Sequence, residues 1–179
     1  MGLQLNLKNV KGDMDDVKSP GFAFVPDGRG MVLLSEFREY QQAGKATCHK
    51  ACFEITAWSS LDESGKSVVG AVHEESIFLP SNTDDQDKSI PKLLRLAIAV
   101  GAITPAQAEG IREGNGDFDF DPQTCLHRPL FIEVVTSENK KDPKKPYHQI
   151  ADFGCAYYHI GDPRCAEWPR NAGVVTAYG

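Results

Sequence analysis

The chain has 179 residues and a mass of 19.6 kDa; 41% of its residues are hydrophobic and 25% charged, and it carries a net charge of −6 with a pI near 5.3. That composition supports a proper core within one domain and excludes a wholly disordered chain. The acidic balance argues against indiscriminate duplex-DNA binding. It leaves room for a local basic groove, because screening over roughly 8–10 Å makes the charge of a patch count for more than the total.

Residues 1–21 are polar, carry Asp13, Asp15 and Asp16, and end at Ser19-Pro20-Gly21; they read as an N-terminal arm. Pro26-Asp27-Gly28 is a turn signal, and 31–41 is the first long strand. Residues 46–59 alternate: Ala51, Phe53, Ile55 and Ala57 face one way, and Lys50, Cys52, Glu54, Thr56 and Trp58 the other. Residues 62–66 form a hairpin loop, and 68–79 the third strand, with Gly70 at a bulge or bend. The period then changes. Leu93, Leu94, Leu96, Ala97, Ile98 and Val100 recur at helical spacing, with Ser89 as cap, Pro91 in the first turn and Gly101 as the stop. Thr104 caps a second short helix reaching about Arg112, and 114–124 is a Gly/Asp-rich loop.

Two strands complete the order, 128–138 and 147–153, with Phe153 expected in the core. The linker between them holds Lys140, Lys141, Lys144 and Lys145 against only Glu138 and Asp142, a local positive excess in an acidic chain. The reading is mainly β with an inserted helix, β-β-β-α-β-β, the plan of a five-stranded OB-fold barrel, with a five-stranded sandwich or an SH3-like barrel carrying an inserted helix as the alternatives. Its domain spans 22–160, and 161–179 form a C-terminal extension.

Candidate chemistry lies in cations with aromatic neighbours. Lysines neutralise phosphates, and ring faces stack on bases. The candidates are Arg38 and Tyr40 on one face of the first strand, Lys45 in the following turn, Lys50 and Trp58 on the second strand, the four lysines of the last hairpin, Tyr147, and Tyr158 beyond it. For Trp58 the competing role is to cover the end of the barrel. No P-loop, nucleophile elbow, His-Glu-x-x-His or dinucleotide fingerprint is present, so no enzymatic activity and no cofactor are expected.

The aspartate runs 84–87 and 117–121 lack the glycine and distal glutamate of a calcium loop. Cys48, Cys52, Cys125 and His127 form a rival zinc set, but ligands four apart on a strand stand about 13 Å from each other. The five cysteines, which include Cys155 and Cys165, read as free thiols. No run approaches the ~18–20 apolar residues of a membrane span, and no signal peptide opens the chain, so a cytoplasmic protein is expected.

Taken together, several segments resemble the single-stranded-DNA-binding OB-fold proteins of phage replication and recombination modules. They are Val25-Pro26-Asp27-Gly28, ACFEITAWSSLDESGKSV, FLPS, KLLRLAIAVGA, RPLFIEV, the lysine loop before YHQIADFG, and YYHIGDPRCAEWPRN, spanning about residues 25–170. The resemblance implies sequence-tolerant coating of single-stranded DNA in the host cytoplasm. It also implies replication or recombination proteins as partners and leaves room for a homo-oligomer. The chain departs from the pattern at the N-terminal arm, in the loop 114–124 and in residues 155–179, where Asp162 and Glu167 balance Arg164 and Arg170 in place of an acidic recruiting tail. The rival class is a β-barrel adaptor that binds a protein through an exposed strand edge.

Overall fold

The computed structural model describes residues 25–40, 48–78, 86–115 and 118–174. The expected N-terminal arm and Lys45 lie outside them. Six strands, β1 (Gly28–Tyr40), β2 (Cys48–Trp58), β3 (Val72–Phe78), β4 (Pro129–Ser137), β5 (Tyr147–Ile150) and β6 (Tyr157–Tyr158), make one antiparallel sheet. Two helices, α1 (Gln86–Ala99) and α2 (Pro105–Arg112), fall between β3 and β4. The sheet order is β3-β2-β1-β4-β5, with β6 also on β4. Among the described residues no backbone ladder joins the outer strands β3 and β5, and the sheet is open there.

The inner face is the core. Val32, Leu34 and Phe37 of β1 meet Ala51, Phe53 and Ile55 of β2, Leu130, Ile132 and Val134 of β4, and Leu96 of α1. Arg128 donates to the Val100 carbonyl (3.1 Å), supplying a cation where the helical chain of carbonyls ends. Thr104 caps α2 as expected, in a reciprocal capping box with Gln107.

Strict alternation fails at two places. The register passes from Met31↔Ala57 to Val32↔Ile55, which leaves Thr56 as an extra residue on β2, its hydroxyl bonded to the Met31 carbonyl (3.0 Å). A bulge of this kind swaps the faces of all that follows. Ala57, expected with Phe53 and Ile55, joins Met31, Phe131 and Cys165 on the outer face, and Trp58 packs against the core. The second irregularity sits at Ser35, whose hydroxyl donates to the Cys52 carbonyl (3.1 Å).

Three other expectations are corrected. Helix α1 begins at Gln86, so Ser89 lies within it and is not its cap, and Pro91 follows in the second turn. Strand β3 begins only at Val72, because Gly70 turns the chain at φ 89°. The last strand does not run to Phe153. It stops at Ile150, the chain makes a turn at 151–154, and it rejoins the same edge of β4 as β6, giving six strands among the described residues where five were expected.

Beyond β6 the chain crosses the outer face. The Met31 amide donates to the Pro169 carbonyl (3.1 Å), and Trp168 meets Phe131 and Tyr158 edge-on at 5.9 and 5.4 Å between ring centroids. The segment expected as a C-terminal extension thus covers this face at least to Val174.

Candidate nucleic-acid interface

The candidate residues fall into three groups. The first is the β4–β5 hairpin. Asn139 organises it: its side-chain carbonyl accepts from the amides of Lys141 (3.1 Å) and Asp142 (3.3 Å), and its amide group donates to the Lys145 carbonyl (2.9 Å). Asp142 accepts from the Lys144 amide (3.2 Å), and its carbonyl accepts from the Lys145 amide (2.9 Å). Local side-chain oxygens thus satisfy the backbone, the arrangement that lets a polar turn hold one shape. Lys140, Lys141, Lys144 and Lys145 are all exposed, and none pairs with a carboxylate among the described residues. Tyr147, the residue that re-enters the sheet, is 48% exposed.

The second group lies toward the other end of β1. Register sets Arg38 opposite Lys50, and Glu74 of β3 opposite Cys52. The Lys50 ammonium donates to one Glu74 oxygen (2.7 Å) and Arg38 to the other (3.3 Å), while Arg38 also reaches Glu36 (3.2 Å). The hydrogen bond that Lys50 donates to Glu74 raises the Lys50 pKa above its ordinary value against the opposing effect of burial. The same ammonium stands 5.4 Å from the centre of the Tyr40 ring. Arg38, Tyr40 and Lys50 therefore form one cluster whose positive charge is largely matched by Glu36 and Glu74. By register, Arg38 is ten residues along β1 from the Gly28 end, where the hairpin emerges, roughly 33 Å of strand path.

The third group comprises aromatics held by the fold. The Trp58 indole donates to the Pro26 carbonyl (3.1 Å) and packs on the core at the hairpin end of the sheet. Tyr158 is half-buried under the C-terminal segment, with the Arg164 guanidinium 4.7 Å above its ring. Burial, foremost, pushes the Tyr158 hydroxyl above its ordinary pKa.

One exposed aromatic contradicts the sequence reading. Phe153, expected in the core, is 89% exposed. Asp152 and Phe153 both sit in the left-handed region at φ 54°, followed by Gly154 at φ 83°. Three consecutive residues of that hand turn the ring out of the sheet. A strand pattern does not reveal this, although Asp-x-Gly is a local turn signal.

Between β3 and β5 a polar seam replaces the missing ladder. The Glu75 carboxylate accepts from the Ile150 amide (3.1 Å) and meets His73 Nε2 at 2.9 Å. The His73 ring stands edge-on to His148 at 5.6 Å, and His148 Nδ1 lies 3.1 Å from the Thr136 hydroxyl and 3.3 Å from Asp27. Burial, and secondly His73, lower the His148 pKa below 6.5.

Among the described residues no three His, Cys, Asp or Glu side chains gather as metal ligands. Cys48, Cys52 and Cys125 are buried free thiols, and Asp121 caps a short turn through the Gln123 amide (3.0 Å). No helix among the described residues is long and apolar enough to cross a membrane. Compared with known proteins, the chain matches no family model and no curated sequence.

Proposed function

We propose that the protein binds single-stranded DNA with little sequence preference, on an open OB-type barrel, and serves strand protection in replication or recombination. The observation that carries this reading is the β4–β5 hairpin: four exposed, carboxylate-free lysines on a turn held by Asn139, beside exposed Tyr147. Phosphates meet the ammonium groups without first displacing a carboxylate, and a held turn lowers the ordering cost of binding.

The barrel reading rests on the strand order. Strand β1 lies between β2 and β4, and the outer strands β3 and β5, both antiparallel to their neighbours, run parallel to each other across the Glu75–Ile150 contact. A small, partly open Greek-key barrel has this plan, and the loop between its fourth and fifth strands is one of its nucleic-acid contacts. The same contact counts against an adaptor that works by strand addition on β5, since Glu75 already occupies the Ile150 amide of that edge.

The test is fluorescence anisotropy with a labelled oligo-dT of about 30 nucleotides, room for more than one OB-sized site. Salt-sensitive binding that matched duplex does not displace is expected. Equal competition by duplex, or no binding at low salt, overturns the proposal.

A further inference from the structure

We infer that Phe153 is a base-stacking subsite, at the far end of β5 from the lysine hairpin; this rests on the single-strand reading above. Strand β5 is four residues long, roughly 13 Å of path, with Tyr147 and the lysines at its start and the Phe153 turn at its end. The ring is 89% exposed. Its backbone is also costly, since the left-handed region disfavours a bulky residue. Hydrogen bonds fix it there: the Cys155 amide reaches the carbonyls of Ala151 (3.2 Å) and Asp152 (3.0 Å), and the Ala156 amide reaches Ala151 (3.1 Å). The backbone that presents the ring outward is thus already set and need not be ordered when a base stacks on it.

The surroundings suit a nucleotide. Lys92 of α1 lies across the turn: a Cβ on Gly154 would stand 3.0 Å from its Cε and 3.2 Å from its ammonium nitrogen. Arg95, one helical turn on, is exposed, and the two cations outnumber Asp152. Asp162, which also faces Arg95, is held by Arg164 at 2.8 Å, and Glu109 pairs with Arg112 at 3.5 Å. The ring borders a groove of about 740 Å³ whose walls include Leu94, Ile98, Ile111 and Phe118, an apolar flank for the stacked base. A base on Phe153 with its phosphates toward Lys92 and Arg95 continues the line that begins at the hairpin.

The experiment compares oligo-dT affinity of the unaltered chain with Phe153→Ala, Phe153→Leu and Phe153→Trp. Loss of one stacked base weakens binding about 5- to 150-fold. That loss is expected for Ala and for Leu, with affinity kept by Trp. Because the side chain is exposed, folding is expected to survive all three. Wild-type affinity in Phe153→Ala, with oligo-dT still bound by the unaltered chain, overturns the subsite and leaves the binding proposal standing; the ring would then belong to a protein contact. Recovery by Leu shows apolar contact in place of stacking and also overturns it. If the unaltered chain binds no oligo-dT, both proposals fall.

Discussion

The β4–β5 hairpin and the cluster on β1, β2 and β3 use the same kinds of side chain and differ in what each cation faces. In the cluster, Arg38 and Lys50 share the two oxygens of Glu74, and Arg38 also reaches Glu36. In the hairpin Asp142 serves the backbone, accepting from the Lys144 amide, and the four lysine side chains are exposed. A phosphate placed at the first site would have to displace Glu74; at the second, no ion pair among the described residues stands in its way. Availability, more than the number of cations, separates a binding surface from a set of cross-strand pairs, which individually contribute only about 0–1 kcal/mol when exposed.

The strongest way to break this contrast is to remove the hairpin charge. Replacing Lys140, Lys141, Lys144 and Lys145 by Gln is expected to weaken oligo-dT binding by at least about tenfold at moderate salt, without a change in thermal unfolding. Lys50→Gln alone should cost less than about threefold, its charge being already matched. A reversal of these two effects, read by anisotropy, would exchange the roles of the regions.

Asn139→Ala sharpens the same point, since it keeps every lysine and removes three hydrogen bonds from the turn. Affinity is expected to fall several-fold, and stability by about 1 kcal/mol, because the groups released are solvent-accessible. Chemical denaturation and anisotropy on one preparation separate the two effects. Glu74→Gln removes the charge that matches Lys50 and leaves Arg38 with Glu36 alone, and a gain of about two- to threefold in affinity is expected. A gain as large as the hairpin's loss would show that the cluster, once freed, is an equal partner.

The smallest effect concerns the seam between β3 and β5. His148 titrates below 6.5 in the fold, owing first to burial and then to His73. Below that pH the unfolded chain binds the proton more readily than the folded one, so stability present above pH 6.5 is lost as the pH falls toward the folded value. Urea midpoints measured from pH 7.5 down to 5 should decline, and His148→Gln should flatten the decline.

Much of the architecture was legible because hydrophobic period reports burial directly. Ala51, Phe53 and Ile55 alternate into the core, and the Thr104-Pro105 pair opens a helix by local chemistry alone. Trp58 was misplaced because one extra residue at Thr56 inverts the alternation, and a bulge is fixed by the partner strand. Phe153 was misread because the left-handed turn needs Asp152, Gly154 and their hydrogen bonds together. The lysines were found from composition. That Lys50 belongs to Glu74, 24 positions away, is a matter of register.

The most direct measurement of the central claim is the slope of log affinity against log salt for oligo-dT, in the unaltered chain and in the four-lysine variant. Each phosphate neutralised on a single strand contributes about −0.7 to the slope, so the variant should be shallower by about 3 if all four lysines engage. Equal slopes would contradict the account, because the hairpin charges would then not be what the phosphates meet.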